Sequence, residues 1–463
     1  MTKSFISPDD LRARFSRAMS EMYRKEVPAY GTLLELVRDV NERVLAADPA
    51  LRKQLEETDN LERISEERHG AIRLGKASEL QMIARVFGVM GMQPVGYYDL
   101  TQANVPVHST AFRAVEGVSL SRSPFRVFTS LLRTELIKDQ GLREKAEELL
   151  AARDIFSDTL RALVDKAERQ DGLNETDTQR FIAEATKVFQ WHSDAAPGVS
   201  KALYIQMRDA DPRVADIVCF KGPHINHLTP RTLEIDTIQA DMPKRGMNAK
   251  NVVEGPPGSC PILLRQTSFR ALTEKVRFAG EEGEHTARFG EIEQRSAALT
   301  PKGRQLYDQL LARVLENVKP KADGSNASEY NAFLYQTFRA FPSDPAGMRR
   351  EGLAYFQYYV TEKGRKHKGQ APTSLDGLVE SGLVAFAPIV YEDFLPVSAA
   401  GIFASNAATK DWKDDFERSS KADFEAAMGH EVLDPFALYA AIEKASLTKV
   451  AAAFGLKNLS IAA

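Results

Sequence analysis

Residues 68–133 alternate strand-like runs with one helix, residues 140–211 read as almost wholly helical, and strand character returns at Val214–Phe220. Blocks in that order sum to an α+β fold with a strand-rich centre and helical insertions. In the first block, 68–75 is predicted to be a short strand. Ser78-Glu79-Leu80-Gln81 reads as a capping box opening a helix to about Gly91. Strands are expected again at Pro94–Leu100, 109–115 and 124–133. In the later block they are expected at Val214–Phe220, Ile225–Leu233, Pro261–Ser268 and Thr286–Arg295.

Helices are predicted at both ends. Ser7-Pro8-Asp9-Asp10 combines a cap, a first-turn proline and acidic residues near the positive helix end. Behind it Leu11, Phe15, Met19 and Met22 recur at helical spacing, and Leu33, Leu36, Val37, Val40 and Val44 form a second stripe after Pro28. Thr300-Pro301 starts another helix. Residues 319–327 have linker composition, 383–391 are strand-like, 396–401 form a small-residue turn, and two helices close the chain.

Composition removes several function classes. With 61 Lys+Arg against 64 Asp+Glu, the chain lacks the basic excess of a nucleic-acid binder and any polybasic membrane patch. No stretch approaches the roughly 18 apolar residues that span a bilayer. Cys219 and Cys260 are too far apart for Cys-x-x-Cys chemistry and read as buried free thiols. Met1 to Pro8 has no signal layout, so a cytoplasmic location is expected. A length of 463 residues allows two to four domains, or one core with large additions.

The informative feature is a weak internal repeat. His69 and Arg73 open a strand, a helix follows, and Gly91-Met92 precede the next strand. His227 and Arg231 open another, a short helix is expected after Asp236, and Gly246-Met247 precede Val252-Val253. Residues i and i+4 share a strand face, so each copy points His and Arg to one side. Two such units facing one another would bring His69 and His227 together.

A third ligand has to come from elsewhere. Residues 287–295 alternate as a strand and put Glu291 and Glu293 on one face. A carboxylate there completes a two-His-one-carboxylate set, which suits non-haem Fe(II) and O2 chemistry and equally holds a catalytic zinc. His224 is the rival ligand, being close to His227, whereas His108, His192, His285, His367 and His430 lack repeat context. No Walker loop, G-x-G-x-x-G, H-E-x-x-H or G-x-S-x-G competes. Pro256-Pro257-Gly258 is a turn, and the basic run Lys363 to Lys368 a solvated loop.

Five stretches carry a family resemblance. R-H-G-A-I-R at 68–73, M-G-M-Q-P-V-G-Y-Y-D-L at 90–100, G-P-H-I-N-H-L-T-P-R-T-L at 222–233, F-G-E-I-E-Q-R at 289–295 and Y-E-D-F-L-P-V-S-A-A-G-I-F at 391–403 resemble the 2-oxoadipate dioxygenase/decarboxylase family. That family is related to the vicinal-oxygen-chelate proteins. The resemblance implies a central sheet of two β-α-β-type modules with helical insertions and helical termini. On this reading 1–463 is a single catalytic unit: N-terminal helices 1–60, a first metal-binding module 61–135, a helical insertion 136–212, a second module 213–318, and a C-terminal helical region 328–463 with a substrate-contacting turn near 391–403.

The same resemblance implies Fe(II) held by His69, His227 and Glu293, with His227 favoured over His224 because it directly precedes L-T-P-R. Arg73 is implied as the arginine on the substrate carboxylate, and Val397 and Ser398 as the hold on its other end. Ser296 stands where glycine is expected, which leaves the ligand assignment intact. The implied reaction takes 2-oxoadipate and O2 to D-2-hydroxyglutarate and CO2, within lysine catabolism. Neither a nucleic-acid nor a membrane partner is expected, and the oligomeric state is left open. The competing readings are a zinc- or other divalent-metal-dependent isomerase or hydrolase of the same superfamily, and a protein that sequesters a metal or small acid without turnover. Oxygen uptake with CO2 release separates the first from a dioxygenase.

Overall fold

The computed structural model describes residues 5–57, 61–66, 68–101, 105–321, 323–395, 414–457 and 459. Two compact units emerge. The first comprises 1–250, 266–293 and 394–433, and the second 251–265, 294–393 and 434–463. The expected boundaries at 60, 135 and 212 all fall inside the first unit.

The first unit is built on a five-stranded sheet of β1 (Arg68–Leu74), β2 (Gln93–Asp99), β3 (Val107–Arg113), β4 (Arg126–Leu132) and β5 (His227–Pro230). Their order is β2-β3-β4-β1-β5, with β1 parallel to β4 and antiparallel to β5. Strand alternation sends β1 side chains to two separate apolar clusters. Ile72 and Leu74 join one with Phe15, Phe87 and Phe112, and Ala71 joins the other with Phe128 and Phe220. His69 and Arg73 lie in register with Ala71.

The N-terminal stripes pack as predicted. The helix Pro8–Glu26 is capped by Ser7 Oγ, which accepts from Asp10 N at 3.1 Å. Its Leu11, Phe15, Met19 and Met22 are buried, as are Leu33, Leu36, Val37 and Val40 of the helix Pro28–Ala47. The block 140–211 is helical at Gln140–Ala152, Asp158–Gln170, Glu175–Val188 and Lys201–Ala210. The α+β class stands.

Several expectations need correction. Val214–Phe220 is no strand: a helix spans Pro212–Val218, with Asp211 as its cap and Pro212 in its first turn. Val214, Ala215, Ile217 and Val218 are all buried, so the run lacks the polar face that would have shown a helical period. Ser78 is not a cap either, since the helix Ala77–Val89 starts after Lys76. Glu79 instead reaches back to accept from Gly75 N at 2.9 Å and pairs with the buried Arg153.

Downstream, the strands are shorter and more numerous than predicted. They are β6 (Leu264–Ser268), β7 (Thr273–Phe278), β8 (Glu281–Thr286) and β9 (Glu291–Arg295). The β7–β8 hairpin turns at Ala279 and Gly280, which take φ of 41° and 94°. Alanine in a position that favours glycine hid this turn from sequence reading. β6 pairs with β9. Val252-Val253 form no strand, so the second repeat copy stops after its short helix, Ile235–Asp241.

In the second unit, β10 (Phe356–Val360) pairs with β11 (Val384–Pro388). The final helix, Pro435–Ala453, presents Glu443 and Ser446 to the β10 amides of Phe356 and Tyr358, at 2.8 and 3.0 Å. Thr300 caps the helix Pro301–Asn317 as predicted. The turn expected at 396–401, with Val397 and Ser398, lies outside the described residues.

Candidate metal centre

The two repeat histidines meet as strand neighbours in one sheet. In the antiparallel β1–β5 register His69 is opposite Thr229 and His227 opposite Ala71, so the two imidazoles project from one face on a diagonal. Their rings stand perpendicular with centroids 5.4 Å apart. Beyond β5 the chain meets β9, where Arg231 bridges Glu293 and Thr232 N donates to Glu293 O at 2.8 Å. Phe289 N donates to Asn226 O at 3.1 Å, and the Tyr23 hydroxyl lies 2.9 and 2.7 Å from the carbonyls of Asn226 and Phe289. β9 is thereby held against the strand that carries His227.

Close approach here requires a glycine. An added Cβ on Gly290 would lie 2.1 Å from the Phe269 ring, and Phe269 N donates to Gly290 O at 3.0 Å. Glu291 follows directly. Its Oε1 sits 3.1 Å from His69 Nε2 and 3.9 Å from His227 Nε2. The donor atoms of His69, His227 and Glu291 all lie within 4.8 Å of one another, and the three residues are buried. Gln266 Nε2 and Thr229 Oγ1 donate to the same carboxylate oxygen at 2.8 and 3.1 Å.

Glu293 occupies a different place. Its Oε2 lies 3.0 Å from His69 Nδ1, the ring nitrogen opposite the one that faces Glu291, and its Oε1 lies 3.9 Å from the buried Arg126. His224 is likewise apart from the pair: it faces Asp216, together with His285. Arg73 Nη1 donates to Asp216 Oδ2 at 2.6 Å. Sequence reading missed Gln266, Asp216 and the His285 contact. Thr229 was discernible as the residue two beyond His227 on the same strand face, whereas the others carried no spacing signal.

Electrostatics make the pocket a place for positive charge. Burial works against charging His69, yet Glu293 and Glu291 outweigh it and raise its pKa. Burial also disfavours the Glu291 carboxylate, and His227 and His69 more than offset that, leaving it below its ordinary value. His227 is pushed down to about 4 by burial and is neutral at pH 7, the state a metal ligand needs. Donors on metal bonds of about 2.0–2.2 Å stand roughly 3–4 Å apart, close to the spacings here. Phe394 and Phe289 pack on the two imidazoles with centroids at 4.8 and 4.7 Å, so the donors fit a cation in apolar surroundings.

A family model described as 2-oxoadipate dioxygenase/decarboxylase matches residues 15–406. The chain belongs to that family. The 2-oxoadipate dioxygenase/decarboxylase of Pseudomonas putida is 54% identical over 461 residues, covering 98% of this chain and 99% of that protein. Its counterpart in Escherichia coli is 51% identical over 445 residues, covering 95% and 98%. The crystal structure of the hydroxyglutarate synthase from Pseudomonas putida in complex with 2-oxoadipate is similar with a TM-score of 0.91 at 55% identity, over 98% of this chain and 99% of that one. Within the family, this chain presents buried histidine and carboxylate groups suited to a metal, and no helix among its described residues is long and apolar enough to cross a membrane.

Proposed function

We propose that this chain catalyses the reaction of 2-oxoadipate with O2 to give 2-hydroxyglutarate and CO2. The observation that carries the proposal is the buried convergence of His69, His227 and Glu291, in a chain 54% identical to the Pseudomonas putida 2-oxoadipate dioxygenase/decarboxylase. Atoms balance: one oxygen of O2 enters the new carboxylate at the former keto carbon, and the other becomes the hydroxyl on its neighbour.

His69, through Nε2, with His227 and Glu291 is the ligand set supported by the distances, in preference to a set containing Glu293. Fe(II) held there would offer the 2-oxo acid a chelation site and activate O2, the electrons that reduce O2 coming from the 2-oxo acid itself. Glu293, with Oε2 3.0 Å from His69 Nδ1, places negative charge beside the ring and raises its basicity. Gln266 and Thr229 fix the Glu291 oxygen. Phe394 and Phe289 limit water around the imidazoles. Arg73, on the β1 face of His69, receives a substrate carboxylate through its planar fork. For the opposite end of the acid we propose Val397 and Ser398, on the strength of the Y-E-D-F-L-P-V-S-A-A-G-I-F run. The D configuration, a role in lysine catabolism and a cytoplasmic location complete the reading. Two buried free thiols suit a reducing compartment.

The test is O2 uptake by anaerobically purified, Fe(II)-loaded protein on adding 2-oxoadipate, with product read by mass. One O2 per 2-hydroxyglutarate is expected, abolished in His69→Ala, His227→Ala and Glu291→Ala. Binding of the acid without O2 uptake would reject the dioxygenase and point to zinc chemistry or sequestration.

A further inference from the structure

Beside Arg73 lies a second buried cluster. Asp216 Oδ1 is 2.9 Å from His285 Nε2 and 3.1 Å from His224 Nε2, and all three residues are at most 6% exposed. The other oxygen, Oδ2, accepts from Arg73 Nη1 at 2.6 Å. Tyr204 places its hydroxyl 2.9 Å from His285 Nδ1. The cluster is assembled from β1, β8, the segment before β5 and the helices Lys201–Ala210 and Pro212–Val218, so five parts of the first unit meet here.

The chemistry sets the direction of each contact. An ionised carboxylate only accepts, so both imidazoles present N–H at Nε2. The other ring nitrogen of His285, Nδ1, meets the Tyr204 hydroxyl at 2.9 Å. His285 and His224 thus donate to one Asp216 oxygen, and Arg73 donates to the other. The Arg73 guanidinium already meets the charge of the Asp216 carboxylate. A cation in this cluster would therefore add unbalanced buried charge, unlike in the pocket of Glu291.

Arg73 spends one of its five N–H groups on Asp216. Among the described residues it has no other hydrogen-bond partner, and its side chain is 18% exposed. Its Nη2/Nε edge is thus left for a ligand. We propose that Asp216, itself held by His224 and His285, is the positioning residue of Arg73, pinning Nη1 so that the remaining fork meets a carboxylate of the 2-oxo dicarboxylic acid. This rests on the reading of Arg73 given under Proposed function.

Anaerobic calorimetry of 2-oxoadipate binding to the Fe(II)-loaded chain, which needs no turnover, tests the proposal alongside steady-state kinetics. Asp216→Asn should weaken binding and raise KM on the order of tenfold, the size of one lost charge-assisted hydrogen bond, with kcat changed much less. In an Arg73→Gln background the same substitution should have no further effect, whereas a merely structural loss would add in full. Tyr204→Phe, which removes only the hydroxyl that meets His285, should shift KM in the same direction by a smaller factor; it stands in if Asp216→Asn does not fold. Unchanged binding in Asp216→Asn overturns the proposal, as does an equal loss in the Arg73→Gln background. Two Co(II) per chain in the wild type, one of them lost in Asp216→Asn, would make Asp216 a ligand and overturn it too. A wild-type chain that does not bind 2-oxoadipate at all rejects the function reading itself, and this inference with it.

Discussion

Glu291 and Glu293 stand two residues apart on β9 and face opposite nitrogens of the same imidazole. Their substitutions should therefore differ in kind. On the proposed ligand set, Glu291→Gln removes one donor oxygen and should abolish stoichiometric metal binding. On the same proposal Glu293→Gln leaves the donor set intact and should weaken metal affinity by about 10–100-fold, as loss of an outer partner does. Metal content after dialysis against a graded chelator separates the two, and equal losses would remove the distinction drawn here. At Arg73 the fork matters more than the charge. Arg73→Lys should raise KM for 2-oxoadipate while the metal content stays at one per chain.

At the scale of elements, the site depends on how closely β9 approaches its neighbours. Gly290→Ala would drive a methyl into the Phe269 ring, and overpacking of this kind costs about 1–3 kcal/mol. Because Glu291 is the next residue, metal affinity should fall as well. Gly88, in the helix Ala77–Val89, is the control: nothing lies within 4 Å of an added Cβ there. Gly88→Ala should stabilise by roughly 0.5–1 kcal/mol through backbone entropy and leave the site untouched. Urea unfolding with metal titration reads both. A destabilised Gly290→Ala with full metal affinity would show that β9 absorbs the strain elsewhere.

For the molecule as a whole, acid stability follows from histidines buried neutral. His108 on β3 lies against Phe424 and near Arg133, and burial, then that charge, pushes it down to about 4. Above about pH 7 it is neutral whether folded or unfolded. The unfolded imidazole takes a proton near 6.5, while the native one does so only near 4. Between these values the unfolded state binds more protons, so stability falls as pH falls. The loss should reach on the order of 3 kcal/mol once the pH is below both values. His108→Gln should flatten that slope in denaturant titrations from about pH 7.5 to about pH 4.5. A slope as steep as the wild type's would place the acid sensitivity elsewhere.

Much of this was legible along the chain, and the reason is locality. Caps, first-turn prolines and 3.6-residue stripes are set within one or two turns, so the helices at Ser7, Thr300 and the block 140–211 could be read directly. The histidine pair was legible because two His-x-x-x-Arg strands repeat, although the strands proved to be neighbours in one sheet rather than facing modules. Where backbone burial removed the polar face, as at Val214–Val218, the pattern misread a helix as a strand and hid Asp216. Period-2 alternation placed Glu291 and Glu293 on one strand face but could not choose between them. That choice depends on which nitrogen of His69 each carboxylate meets, a matter of Ångströms between chain segments more than 200 residues apart. Side-chain identity and spacing determine which donors are available; only the packed sheet, through the register of β1, β5 and β9, decides which of them converge.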